Sequence, residues 1–285
     1  MPEIAFVNGK FLPLAEAVVS VEDRGFQFAD GVYEVLASYG GRPFALEPHF
    51  QRLEHSLQAL RIGLDIHAYG LEGIVREGIV RSGFAETLVY IQITRGTAPR
   101  HHEFPAGLIQ PTVVMTVKEL CRPAPELYQR GVKVVSTPDL RWKRCDIKST
   151  SLLANILSKQ QAVEAGAFEA LLVDEEGRVT EGSSTSAFCV RQGVLSTAPA
   201  GPHILPSITR GVILNLAKAL KLPVREEFAT LEEYRQADEV FLAGTTTEAM
   251  PIVHLDEHPV ADGKPGPLAR RLREAFLEYV AHGDW

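Results

Sequence analysis

Beta-rich runs alternate with amphipathic helical stretches along this whole chain, and one interruption, Cys121-Arg122-Pro123-Ala124-Pro125, divides that alternation in two. Closely spaced prolines neither continue a helix nor join a central strand, so the interruption reads as a domain boundary. The expectation is two domains, 1–121 and 126–285, and the 45% hydrophobic content of the 285 residues suffices for two modest cores. Because helices and strands do not follow one another in regular parallel units, the class is α+β with mixed sheets.

The first half opens on a hairpin signal, Ile4 to Val7, Asn8-Gly9, then Lys10 to Leu14. Tyr33 to Tyr39 reads as a strand, Gly40-Gly41 as a turn, and Arg42 to Leu46 as another short strand. Pro48 opens a helix carrying Phe50, Leu53, Leu57 and Leu60, and Leu71, Ile74, Val75 and Ile79 mark a second. Leu88 to Thr94 and Pro111 to Val117 are strands. In the second half Val132 to Ser136, Ala170 to Val173, Ala187 to Val190 and Glu239 to Leu242 read as strands, with Gln192-Gly193 as a hairpin turn. Ser207 caps a helix over Val212, Ile213, Leu216 and Leu220, and a last helix holds Leu268, Leu272, Phe276 and Val280.

A net charge of -7 gives no basic footprint for nucleic acid or an anionic membrane. The three cysteines, Cys121, Cys145 and Cys189, have no metal-ligand or redox spacing and read as free thiols of a reducing compartment. Residues 1–20 lack the pattern of a leader, and no window is long enough to span a bilayer, so the expected location is the cytoplasm.

Chemistry concentrates around Lys148 in Arg144-Cys145-Asp146-Ile147-Lys148-Ser149-Thr150. Ser149 or Thr150 is positioned to cap a helix with Leu152, Leu153, Ile156, Leu157, Gln160 and Val163, ended by Gly166. A lysine at such a helix start feels the positive end of the macrodipole, which favours the neutral, nucleophilic amine; alternatively it is a solvated surface lysine. Glu181, between Thr180 and Gly182 at a strand end, is either a carboxylate for a cationic ring nitrogen or a turn residue. Three features suit an anion: the amides of Ile208 and Thr209 at a helix start, the threonines from Thr245 onward after a strand, and Arg52 beside its helix's apolar stripe. Their ordinary readings are a capped helix, a polar turn and a solvated arginine. No glycine-rich nucleotide loop is present, so a phosphate here belongs to a smaller cofactor. The run Arg95 to His102 concentrates positive charge, with Arg100 and His102 as a carboxylate trap; adjacent histidines without a cysteine partner make a poor metal site.

Taken in order, Glu22 to Glu34, Thr94 to Pro105, Arg141 to Lys159, Val179 to Ser184, Ile208-Thr209-Arg210 and Thr245-Thr246 closely resemble the fold-type IV pyridoxal-phosphate (PLP) aminotransferases. The Lys148 and Glu181 motifs carry the resemblance to that group, and Arg100-X-His102 with Tyr33 carries it to the D-amino acid aminotransferase branch. The resemblance implies a two-domain α+β architecture with the cofactor between the domains and an active site completed across a homodimer. It also implies that Lys148 holds PLP as a Schiff base and shuttles a proton, and that Glu181 pairs with the pyridine nitrogen. Arg52, Ile208, Thr209 and Thr245 would hold the phosphate, and Tyr33, Arg100 and His102 the substrate carboxylate. The implied reaction exchanges amino groups between D-amino acids, D-alanine and D-glutamate foremost, and 2-oxo acids. A branched-chain L-amino acid aminotransferase, an aminodeoxychorismate lyase or an R-selective amine transaminase would share Lys148 and Glu181. Departures from the pattern are His101 inside the trap and Thr150-Ser151 after the lysine.

Overall fold

A computed structural model describes residues 3–283 and 285. Met1 and Pro2, which open the expected first domain and the stretch read for a leader, and Asp284 lie outside the described residues. The chain forms two compact units: residues up to Cys121 together with Ile147–Ser151, and Arg122–Asp146 together with Leu152 onward.

In the first unit, β1 (Ile4–Val7) and β2 (Lys10–Pro13) make the expected hairpin around Asn8 and Gly9, both with positive φ. A short helix, α1 (Arg24–Phe28), precedes β3 (Gly31–Tyr39) and β4 (Arg42–Pro43). The expected strand to Leu46 stops at Pro43, because α2 (Leu46–Ala59) already begins at Leu46; Pro48 sits in its first turn, where its missing N–H costs no helical bond. Then come α3 (Leu71–Ser82), β5 (Glu86–Thr94) and β6 (Thr112–Glu119). The sheet, in order β2-β1-β6-β5-β3-β4, is antiparallel throughout, so mixed pairing is confined to the second unit.

Strand periodicity puts alternate residues on opposite faces. Val32, Leu36, Val89, Ile91, Ile93, Val113, Met115 and Val117 pack against Phe50, Leu53 and Leu57 of α2 and Leu71, Val75 and Ile79 of α3. Burying each such side chain contributes about 1.5–3 kcal/mol. Tyr33 and Val35, with their cross-strand partners Gln92 and Tyr90, belong to the other, half-buried face.

Ile147–Ser151, expected within 126–285, groups with the first unit. Strand β4 covers only Ser38 and Tyr39 of β3, and the segment takes the remaining edge: Tyr33 N–H donates to Lys148 C=O at 2.9 Å, and Thr150 N–H to Gly31 C=O at 3.0 Å. Ile147 enters the core of this unit.

The second unit contains α4 (Pro125–Arg130), β7 (Val132–Pro138), α5 (Leu153–Glu164), β8 (Glu169–Val173), β9 (Val179–Gly182), β10 (Ser186–Arg191) and β11 (Val194–Thr197). It continues with α6 (Ile208–Ala219), β12 (Val224–Glu226), α7 (Leu231–Arg235), β13 (Glu239–Gly244), β14 (Glu248–Leu255), β15 (His258–Pro259) and α8 (Pro267–His282). The sheet order is β12-β11-β10-β13-β14-β7-β8-β9, with parallel pairs β11/β12, β14/β7 and β7/β8.

The helix after Lys148 differs from expectation. Its N-cap is Leu152, which makes no side-chain cap bond; Thr150 donates its hydroxyl to Ala29 C=O at 2.9 Å. The helix buries Ser158 and Ala162, while Leu153, Ile156, Leu157 and Val163, which mark it in the sequence, are exposed.

Candidate active site

Lys148 is fixed by its backbone. The bridge to β3 holds its carbonyl, and its N–H donates to Ser56 Oγ on α2 at 3.1 Å. The half-buried side chain then places Nζ 4.2 Å from the centroid of the Tyr33 ring. Lys148 therefore sits more than a turn before α5, and the macrodipole, whose effect dies within the first turn, no longer supplies the field expected for a neutral amine.

Arg52 is buried, contrary to the solvated alternative. Glu34 faces the helices from β3, and Arg52 grips it through Nε at 2.7 Å and Nη2 at 2.8 Å; His49 Nδ1 is 2.7 Å from the same carboxylate. Burial alone would raise the Glu34 pKa, but the charge and hydrogen bonds of Arg52 outweigh it and bring the group down to about 2. Burial lowers His49, against the pull of Glu34, and so favours its neutral form.

Arg100 and His102 lie exposed on the loop after β5 and gather on Phe28. The Arg100 guanidinium is 4.4 Å above that ring, and the His102 ring is 5.6 Å from it, edge to face.

In the second unit Glu181 is the last residue but one of β9, at the strand end the sequence suggests. Its Oε1 takes an ion pair from Arg141 Nη1 and the Leu205 N–H at 3.1 Å; Oε2 accepts no bond among the described residues. Burial pushes the Glu181 carboxyl upward, opposed by Arg141. Burial would lower Arg141, but hydrogen bonds to Asp139 at 2.9 and 2.7 Å and the charges of Glu181 and Asp139 hold it above the usual arginine value. A Cβ on Gly182 would overlap Thr185 Oγ1, so a larger residue directly after Glu181 would have to displace that side chain.

Leu205 leads into the start of α6, where Ser207 caps the helix by accepting Arg210 N–H at 3.2 Å. The Gly211 N–H to Ser207 C=O bond, 3.1 Å, opens the ladder, so the Ile208 and Thr209 amides precede it. Thr245 is half-buried in the turn between β13 and β14. The pairing Ser186↔Ala243 sets that turn beside Ser183–Thr185, at the sheet end reached by β9. The donor set fits a phosphorylated pyridine: free helix-start amides suit the anion, and a buried carboxylate with one unused oxygen suits a ring N–H.

The Amino-transferase class IV family matches residues 31–255. The chain belongs to that family. Among class IV relatives, the D-alanine aminotransferase of Staphylococcus aureus (strain MSSA476) is 42% identical over 98% of both chains. That of Bacillus licheniformis is 40% identical, covering 96% of this chain and 95% of its own. A branched-chain amino acid aminotransferase of T.th. with pyridoxamine 5'-phosphate superposes with a TM-score of 0.90 at 30% identity, over 99% of this chain and 95% of its own. The Escherichia coli branched-chain enzyme gives 0.87 at 26%, over 97% and 94%.

For this class IV aminotransferase, sequence reading missed Arg141, Glu34 and Ser56. Arg141 had a visible signal, the basic run Arg141 to Arg144, but of its two carboxylates only Asp139 is near in sequence and Glu181 is distant. Glu34 had a clearer one: it falls at an apolar position between Val32 and Leu36, and a carboxylate on a core face needs a cation.

Proposed function

We propose that this protein is a PLP-dependent transaminase of D-amino acids, exchanging the amino group of D-alanine or D-glutamate with 2-oxo acids. The observation that carries the substrate class is the 42% identity to a D-alanine aminotransferase across 98% of both chains, above the 30% shared with a branched-chain enzyme. The Arg100/His102 pair favours the same choice, since a cationic loop suits a carboxylate better than an aliphatic side chain.

When bound, the cofactor supplies an electron-withdrawing ring. Lys148 would hold it covalently and then move the proton at the substrate Cα; its anchored backbone and the Tyr33 ring under its amine limit where that proton is delivered. Glu181 would accept the ring nitrogen's hydrogen at Oε2, and Arg141 would favour its ionised form against the effect of burial. The Ile208 and Thr209 amides and Thr245 would hold the phosphate, with Arg52 as a further cation. Tyr33, Arg100 and His102 would orient the substrate carboxylate and so select the D configuration. The protein would act as a homodimer, a reading supported by the exposure of the 100–104 loop and of the Leu153, Ile156 and Leu157 side chains. A cytoplasmic setting is supported by the free thiols of Cys121, Cys145 and Cys189, and no described helix is long and apolar enough to cross a membrane.

The test is turnover of D-alanine with 2-oxoglutarate, followed by pyruvate release. Lys148→Ala should abolish it without shifting the unfolding temperature; full residual activity would remove Lys148 from its role.

A further inference from the structure

Arg100 and His102 stand on irregular chain, yet a carboxylate trap works only if its donors are held in place before the substrate arrives. The means of holding them lies below the loop, in a residue that faces away from solvent. Arg24, the first residue of α1, is 3% exposed. Its Nε donates to Asp30 Oδ2 at 2.7 Å, and its two terminal nitrogens reach the carbonyls of His101 at 2.6 Å, His102 at 3.4 Å and Glu103 at 3.4 Å. One guanidinium thus ties down the backbone of the trap's histidine and of both its neighbours. The same guanidinium lies 4.9 Å from the Phe28 ring on which Arg100 and His102 rest.

The clamp has a second anchor. Asp30 is shared with Arg95, through Nε at 2.7 Å and Nη2 at 2.9 Å; Arg95 also bonds the carbonyls of Leu60 and Arg61 and lies 3.7 Å from the Phe104 ring centroid. Arg24 N–H donates to Gly96 C=O at 3.0 Å, and Ala98 N–H to Glu22 C=O at 3.2 Å, which pins the start of the loop. Arginine is needed at position 24 because its planar fork serves a carboxylate and several carbonyls at once, whereas a lysine ammonium serves Asp30 only as a point charge.

We propose that Arg24 is a positioning residue for substrate carboxylate recognition: by bonding Asp30 and the carbonyls of residues 101–103, it presets the geometry of Arg100 and His102. This rests on the assignment of Arg100 and His102 as carboxylate contacts.

The test uses the PLP-loaded enzyme and two readouts. One is the split of D-alanine kinetics into KM and kcat; the other is binding of propionate, which is D-alanine without its amino group, read from the perturbation of the cofactor's absorption. Arg24→Lys should raise both the D-alanine KM and the propionate Kd about tenfold or more, with kcat, unfolding temperature and the unliganded spectrum held. Arg24→Met should raise both KM and the propionate Kd more strongly, with some loss of stability; if it fails to fold, Arg24→Lys alone decides. Unchanged KM and propionate affinity in Arg24→Lys would overturn the proposal, as would a fall in kcat and unfolding temperature that accounts for the KM change. Arg100→Met separates the two levels. If it weakens propionate and Arg24→Lys does not, the positioning role alone falls; if it leaves propionate binding intact, the assignment of the trap falls and the positioning role with it.

Discussion

The amine of Lys148 lies 4.2 Å from the centre of the Tyr33 ring, and the two residues are also joined through their backbones, Tyr33 N–H to Lys148 C=O at 2.9 Å. A lysine on a linker and a tyrosine inside a strand become one unit because the linker completes the strand's open edge. The tyrosine therefore has two separable parts, a ring under the amine and a hydroxyl assigned to the substrate.

Tyr33→Phe keeps the ring and removes the hydroxyl. A hydrogen bond to a charged group contributes about 1.5–3 kcal/mol, so the D-alanine KM should rise about ten- to a hundredfold with a smaller change in kcat. Tyr33→Leu removes the ring as well and should lower kcat in addition. Steady-state kinetics of both variants check this; a Tyr33→Phe enzyme with wild-type KM would contradict the assigned hydroxyl.

Arg141 is the counter-charge of two carboxylates, the half-buried Asp139 and the buried Glu181. Arg141→Met leaves both uncompensated and should cost about 3–5 kcal/mol in urea unfolding. Adding Glu181→Gln removes one of the stranded charges, so the double variant should recover part of that loss. Strictly additive losses would contradict the coupling of Arg141 to Glu181.

Glu34 ties stability to pH. Its folded pKa, about 2, lies below the ordinary 4.5, so the unfolded chain binds protons first on acidification. The stabilisation from the Glu34–Arg52 pair is thus complete above about pH 4.5 and is lost as the pH falls towards 2. His49 acts in the same direction: its pKa is lowered from 6.5, so acid favours the unfolded state in which it charges freely. Glu34→Gln should be most damaging near neutral pH, where it strands Arg52, and its penalty should shrink on acidification. Urea unfolding between pH 7 and pH 3 measures this; a penalty that grows in acid would contradict the sign.

Local rules explain what could be read without coordinates. The Asn8-Gly9 and Gln192-Gly193 turns, the Ser207 cap and the α2 and α3 faces each depend on residues near in sequence, and each formed as expected. The helix after Lys148 started late because the Thr150 hydroxyl found the Ala29 carbonyl, a long-range partner that no capping rule anticipates. Its large apolar residues marked the helix, yet the small residues Ser158 and Ala162 are the buried ones. The candidate residues were named by chemical type, but what holds them was hidden: Ser56 behind Lys148, Arg141 beside Glu181 and Arg24 beneath the trap are all brought in by tertiary structure.

The most direct measurement is the absorption spectrum of the purified, PLP-loaded protein, recorded before and after D-alanine and, separately, L-alanine, with no 2-oxo acid present. We expect D-alanine alone to bleach the visible cofactor band and 2-oxoglutarate to restore it. Bleaching by L-alanine or L-leucine instead would contradict D selectivity and place the protein with the branched-chain enzymes.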